Sequence, residues 1–350
     1  MDTLQSLQAA QGAEFSDGAL PPLHFGDLAA EYRAAQESAV LVDRRDEGRL
    51  ELTDRDRLAI LNRISTNAVA DLPPGTGRAT VLTTPIGRII DRLVLHNLDE
   101  ERTLVRTGPG RGARVTAYLQ RNVFFRDRMQ IRDVTGEWAQ LVLYGPRAWV
   151  IARSLSPDLP DLALHHVYAT RFGSDQLLIV AVDPPGVPAA GLIVPAARAA
   201  ELWQTVLQAG GRESVRASGL AVWELLRVEA GLPGPAELNE EFIPLEAGLW
   251  ADVSFNKGCY TGQEIIARME SRGKLARTLV TVTLSGAATP GAEWTVDGRR
   301  QGLLTSVAQQ PDGAWIGLGY VRPELATVGQ PLQLPGDVTA TIRFAVDRLS

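Results

Sequence analysis

The 350-residue chain holds one cysteine, four histidines, three methionines and two lysines. A single cysteine excludes an internal disulfide framework, a multi-cysteine zinc site and an iron–sulfur cluster held by this chain alone. The histidines are His24, His96, His165 and His166. No pair stands at i, i+4, and neighbours such as His165 and His166 on a strand point to opposite faces, so no metal site is expected. Long apolar runs are missing too. Leu177–Val182 is typical of the longest, far short of the ~20 residues that span a bilayer, and no membrane partner is expected. Met1 to Ala10 has neither a basic nor an apolar stretch, so no secretory signal is read. Positive charge is in deficit, with a net −6 and a pI near 5.4. That balance disfavours broad contact with nucleic-acid phosphates. The expectation is a cytoplasmic globular protein.

What remains is 45% hydrophobic and 22% charged, enough for a sizeable core, and the length suits two to three domains. Of 35 cationic residues, 33 are arginine; the two lysines, Lys257 and Lys274, share an 18-residue stretch with Cys259. An ammonium and a thiol perform chemistry that a guanidinium does not. Their clustering in a background that avoids both marks this stretch as the first candidate site.

Along the chain, apolar spacing predicts a helix over Leu28 to Ser38, a strand at Ala39–Val42 and another at Arg49–Leu52. Thr53 is read as the cap of a helix to about Ile64, with Asp56 as the acid of a shortened capping box. Ala79–Thr84 and Arg88–Leu95 read as a hairpin turned by Pro85-Ile86-Gly87. A strand at Thr103–Arg106, a helix over Val115–Arg121 and a strand at Met129–Val134 complete an α+β unit. A second pass follows: a strand at Leu141–Tyr144, a helix after Pro146, and strands at Val167–Phe172 and Leu177–Val182. Next come a helix from Pro195 stopped by Gly210-Gly211 and one capped by Ser218 that runs to about Glu229. Arg277 to Arg348 shows strand-like runs between Gly, Pro and Asp turns, which predicts an all-β barrel or sandwich with Trp294, Trp315 and Tyr320 buried.

Thr107-Gly-Pro-Gly-Arg-Gly112 lacks the Gly-Lys-Ser/Thr of a phosphate loop and reads as a turn into a helix. Asn256 to Arg268 carries more chemistry. Thr261-Gly-Gln-Glu264 before Ile265-Ile266 is a capping-box pattern, which predicts a helix from about Gly262. Cys259 then lies just ahead of that helix, where the dipole and Lys257 both favour a thiolate. Gly258 and Gly262 permit close backbone approach. The bland alternative is an inert cysteine packed in a helix-entry loop.

Lys257-Gly-Cys-Tyr-Thr-Gly-Gln-Glu264 with Arg268 resembles the signature of the folate-binding YgfZ proteins, relatives of the glycine-cleavage T-protein (aminomethyltransferase). Further motifs extend the resemblance along most of the chain. Ser65-Thr-Asn-Ala-Val69 with Leu72-Pro-Pro-Gly75, Gly87-Arg-Ile-Ile-Asp91 and Arg227-Val-Glu-Ala-Gly-Leu-Pro233 are similar to superfamily stretches. So are Ile243-Pro-Leu-Glu-Ala-Gly-Leu249 and Gly317-Leu-Gly-Tyr-Val-Arg322.

The resemblance implies a three-domain α+β ring with a C-terminal all-β barrel and a central funnel for tetrahydrofolate. The implied domains are 1–48 with 135–276 (folate-binding), 49–134 (ferredoxin-like) and 277–350 (barrel). It implies Glu229 as the pterin-reading carboxylate, with Trp223, Asp91 and Asn67 beside the folate, and Cys259 with Lys257 as the working pair. Where T-proteins carry paired aspartates, this chain has Asp91 followed by Arg92; T-proteins in turn lack the Lys-Gly-Cys-Tyr segment.

The implied function is a tetrahydrofolate-binding accessory in iron–sulfur cluster assembly or repair. Its partners would be iron–sulfur proteins or their assembly factors, with an indirect effect on tRNA modification. The residues supply a rationale: one thiol can attack a persulfide or sulfenate, or lend a ligand to a cluster shared with a partner. Two other readings stand beside it. One is a folate-dependent aminomethyltransferase or demethylase with Asp91 as base; the other is a non-catalytic module with a vestigial pocket.

Overall fold

The computed structural model describes residues 3–16, 20–209 and 215–346. The chain divides into two compact units. The first comprises residues 1–61, 69–79 and 93–223, and the second residues 62–68, 80–92 and 224–350.

In chain order the first elements are α1 (Thr3–Ala10), α2 (Leu28–Glu37), β1 (Val40–Asp43), β2 (Glu47–Thr53) and α3 (Arg57–Ile64). The hairpin β3 (Gly77–Thr83) and β4 (Ile89–Asn97) follows, then β5 (Arg102–Pro109), α4 (Gly112–Arg121) and β6 (Gln130–Asp133). Next come β7 (Trp138–Tyr144), α5 (Ala148–Leu155), β8 (Val167–Phe172), β9 (Asp175–Ala181), β10 (Ala189–Pro195) and α6 (Ala199–Ala209). After β11 (Arg216–Ser218), α7 (Leu220–Ala230) and α8 (Gln263–Arg272), the chain ends in strands. These are β12 (Thr278–Leu284), β13 (Glu293–Val296), β14 (Arg299–Gln309), β15 (Trp315–Val321), β16 (Pro331–Leu334) and β17 (Val338–Ala345).

In the first unit a six-stranded sheet runs β11-β1-β7-β10-β9-β8. β1 pairs parallel to β11 and antiparallel to β7, with Leu41 opposite Leu143. The central strands β7, β9 and β10 are buried along most of their length. Such uninterrupted apolar strands need cover, and Leu202, Trp203 and Val206 of α6 pack on Leu41, Leu141 and Leu192. A five-stranded sheet has the order β3-β4-β5-β2-β6. The far half of its β3–β4 hairpin, residues 80–92, belongs to the second unit.

In the second unit, β12-β15-β14-β13-β16-β17 form a closed barrel, as the turn-punctuated pattern after Arg277 predicts. Closure leaves no unpaired edge. Val280, Val282, Trp294, Leu304, Leu332 and Ile342 fill it. Trp294 and Tyr320 are fully buried, and the Trp294 indole donates to the Tyr320 carbonyl at 2.9 Å; Trp315 is half-buried against the same core.

Several local expectations are corrected. Thr53 ends β2 instead of capping α3; the Asp56 amide, which such a cap would take, donates to the Arg128 carbonyl at 3.0 Å. Ser218 ends β11, and its hydroxyl donates to Glu31 in place of capping α7. Pro195 closes β10, and a short 3-10 turn (Ala196–Arg198) precedes α6. The expected stop at Gly210-Gly211 lies outside the described residues. Elements α1, β10 and β11 have no counterpart in the sequence reading.

Candidate functional site

The site is built within the second unit from the loop after α3, the hairpin tip and the segment 250–262. Lys257 organises it. Its Nζ donates to the carbonyls of Asn62, Ser65 (2.7 Å) and Asn67 (2.9 Å), three acceptors for the three protons of an ammonium. Arginine's planar fork does not take three carbonyls, one from the last turn of α3 and two from the loop after it, in this way, which accounts for a lysine in an arginine-rich chain. Burial pulls the Lys257 pKa down to about 8, so the charged form still dominates at neutral pH. The ammonium is 5.2 Å from the Tyr260 ring. Burial also pushes the Tyr260 phenol up to about 12.

The same loop is tied again through its own side chains. Asn67 donates from Nδ2 to the Ala251 carbonyl at 2.8 Å, and Thr66 Oγ1 to the Asp252 carbonyl at 2.6 Å. The Asn67 amide donates to Thr80 Oγ1 on β3. Arg92 of β4 meets the Asp252 carboxylate at 2.6 Å, both nearly buried. Thr66, Thr80 and Asp252 were not singled out in the sequence, and Arg92 was noted only as a departure from the paired aspartates of T-proteins. Thr66 lies inside a quoted motif, whereas Asp252 gives no local signal.

Cys259 is exposed. So is Gly258 before it, whereas Tyr260 after it is buried in a cluster with Ile243, Leu245, Val253 and Ile266. Just beyond, Gly262 precedes α8 at φ +83°, where a Cβ would sit 2.6 Å from the Thr84 carbonyl and 2.8 Å from Gly87 Cα. Glycine is therefore required at the hairpin contact. Open space surrounds the missing Cβ of Gly258, so that glycine makes no close approach. The capping box is not formed either. Gly262 is the N-cap without a side-chain bond, and the Thr261 carbonyl accepts from Thr83 Oγ1 at 2.5 Å. Helix α8 begins where expected, and Cys259 precedes it. Glu264 lies in its first turn and Arg268 further along it.

The remaining predicted residues fall elsewhere. Asp91 is buried on β4. Glu229, half-buried near the end of α7, accepts from Gln310 Nε2 at 3.0 Å. Two residues earlier, Arg227 spends its guanidinium on Glu224, Glu237 (3.1 Å), Ser306 (2.8 Å) and the Leu232 carbonyl. Trp223 belongs to the first unit, six positions from Glu229 and so about 120° away around the helix. There the Arg44 guanidinium lies 4.0 Å over its ring. Arg44 is itself held by Asp46 (3.1 Å) and Glu47 (2.7 Å). Burial would raise the Glu47 carboxyl, but Arg44 and Arg106 outweigh it and hold it below the usual range.

Residues 4–257 match the family described as GCVT N-terminal domain, and the chain belongs to that family. Among curated relatives, a putative chloroplastic transferase of Arabidopsis thaliana is 30% identical, covering 97% of this chain and 78% of its own length. The aminomethyltransferase of Geobacillus kaustophilus (strain HTA426) is 30% identical over 89% of this chain and 87% of its own. The crystal structure of glycine cleavage system aminomethyltransferase T from Bartonella henselae shares the fold at a TM-score of 0.85. It is 23% identical, with 99% of this chain and 98% of that chain covered. Among the described residues, no helix is long and apolar enough to cross a membrane.

Proposed function

We propose that the chain is a reduced-folate-binding protein of the YgfZ type that supports iron–sulfur cluster assembly or repair, with Cys259 as its working thiol. One observation carries the reading: an exposed sulfur stands on an anchored segment. Lys257 ties one side to three carbonyls, and Tyr260 buries the other. A thiol so placed is accessible to a partner and loses little conformational freedom on engagement. Lys257 is a positioning residue in this account, since its protons serve backbone carbonyls. Cys259 would lend one sulfur ligand to a cluster held with an iron–sulfur partner, and tRNA modification would respond through the enzymes that need such clusters.

The residues present fit a reduced folate by donor chemistry. The Glu229 carboxylate takes a bond from the neutral Gln310 amide, one that the N–H groups of a pterin can replace in charge-assisted form. When bound, tetrahydrofolate supplies one-carbon carrier chemistry. Asp91 and Asn67, in the same unit as Glu229, are the further folate residues of this reading. Its domains are 1–48 with 135–276, 49–134 and 277–350, and its compartment is the cytoplasm.

The test combines two measurements. Tetrahydrofolate should bind the purified protein, and Glu229→Ala should weaken it by about 1.5–3 kcal/mol. Cys259→Ser should retain folate binding yet fail to restore iron–sulfur enzyme activity in cells lacking the protein. Full restoration would remove the thiol from the function. A second reading, aminomethyl transfer, is favoured by the names of the relatives and by the acid at Asp91. Methylene-tetrahydrofolate formed from an amine or carrier substrate would establish it in place of the first.

A further inference from the structure

A cavity of about 330 Å³ opens at one end of the barrel, lined by Arg277, Arg300, Arg322, Gln301, Gly302 and Tyr320 among others. Strand register explains why these residues meet. Thr278 of β12 pairs with Val321 of β15, so Arg277 and Arg322, one step further on, lie opposite each other. Gly302 of β14 pairs with the same Val321, so Gln301 flanks Arg322 on its other side, and the Arg322 amide donates to the Gln301 carbonyl at 3.2 Å. Like charges directly across an antiparallel pair are destabilising. The strand ends concentrate three guanidinium groups where sheet stability alone would select against them.

Each of these arginines has a carboxylate near it, but the ion pairs of Arg300 and Arg322 are exposed. Glu293 meets Arg300 at 3.1 Å and Glu324 meets Arg322 at 3.9 Å, with every partner half-exposed or more. Such surface pairs are weak and exchange readily for a better anion. Buried Glu246 is shared between Arg277 and Arg88, the latter at 3.7 Å. The floor is rigid: the Tyr320 ring stacks on Phe242 at 3.6 Å, its hydroxyl donates to the Glu237 carbonyl at 2.9 Å, and Arg277 lies 5.3 Å from the Phe242 ring. Finally, Gln301 Oε1 is buried with no hydrogen-bond donor among the described residues. A buried acceptor without a donor is costly and marks where a ligand hydroxyl or amide belongs.

We propose that this cavity binds a small multiply charged anion, with two or more carboxylate or phosphate groups for the arginines and one hydroxyl or N–H donor for Gln301. The volume lies at the small-molecule end of ligand pockets. Arginine forks take both oxyanions in the same bidentate geometry, so the two sources are separated by experiment.

Calorimetric titration of the full chain with citrate, tricarballylate and pyrophosphate tests the proposal. Citrate and tricarballylate differ by the central hydroxyl alone. One equivalent of citrate or pyrophosphate should bind, and the tighter of the two identifies the carboxylate or phosphate source. Arg300→Gln with Arg322→Gln should weaken binding about tenfold or more; both side chains are exposed, so the fold should survive, as thermal unfolding will verify. Citrate should exceed tricarballylate, and Gln301→Leu should erase that preference. No binding of either anion at about 1 mM, or unchanged affinity in the double arginine variant, overturns the proposal.

Discussion

Arg227→Met is the substitution whose cost the structure defines best. Arg227 is 2% exposed and Glu237 fully buried. Burial alone would pull the guanidinium pKa down, but Glu237 and Glu224 outweigh it and hold it above the ordinary value. Methionine fills much of the volume but removes every donor. Glu237 keeps Ser306 Oγ at 2.6 Å and the Gly234 amide at 2.8 Å, but loses its cation. Breaking one side of a buried pair costs about 3–5 kcal/mol, because the surviving charge stays in low dielectric. With a urea slope near 3 kcal/mol/M, the midpoint should fall by roughly 1 M or more. Tryptophan fluorescence would follow the transition. Arg227→Met with Glu237→Leu should recover part of the loss, since no buried charge is then left unpaired. A single variant within about 1 kcal/mol of the parent, or a double variant no better than the single, would refute this reasoning.

Three further outcomes are expected. Burial first, and Arg106 second, hold the His96 pKa down to about 3, while its Nδ1 shares a hydrogen bond with the His165 carbonyl at 2.8 Å. The unfolded chain takes up that proton near pH 6.5 and the native one near 3. Stability is therefore lost as pH falls through this window, and His96→Gln should remove up to about 1.4 kcal/mol per pH unit from the slope of unfolding free energy against pH. Gly262→Ala meets both a left-handed φ and the Thr84 carbonyl; it should cost about 2 kcal/mol or more in thermal unfolding. Lys257→Met removes the ammonium donor from the carbonyls of Asn62, Ser65 and Asn67, and should cost about 2–4 kcal/mol while raising hydrogen exchange of residues 62–68.

Legibility in the sequence followed how local each determinant is. The β3–β4 hairpin was readable because Pro85-Ile86-Gly87 encodes its own turn, with Gly87 at φ +74°. The barrel was readable from its repeated turn residues. In contrast, β10 is an unbroken apolar run, which periodicity alone does not distinguish from helix. β11 is three residues long and exists through its parallel pairing with β1. Cap assignments failed where the hydroxyl had a distant partner, as Ser218 has in Glu31. The same rule governs the site. Lys257 and Cys259 stood out by scarcity, whereas Asp252 owes its place to Arg92 and Thr66, both far away in sequence.

The interleaving of the two units sets the order in which the protein can be completed during synthesis. Every segment of the first unit has been synthesised once residue 223 is made. Residues 62–68 and 80–92 are also present by then, but their companions start at 224. At about 5–20 residues per second, those early segments wait roughly 6–25 s for β17 to pair with β12 and close the barrel. For the first part of that interval, about 2–8 s, Thr66, Asn67 and the tip of the β3–β4 hairpin lack Asp252, Ala251 and Thr261. A chaperone or a pause in translation acting on this protein would have its greatest effect in that window.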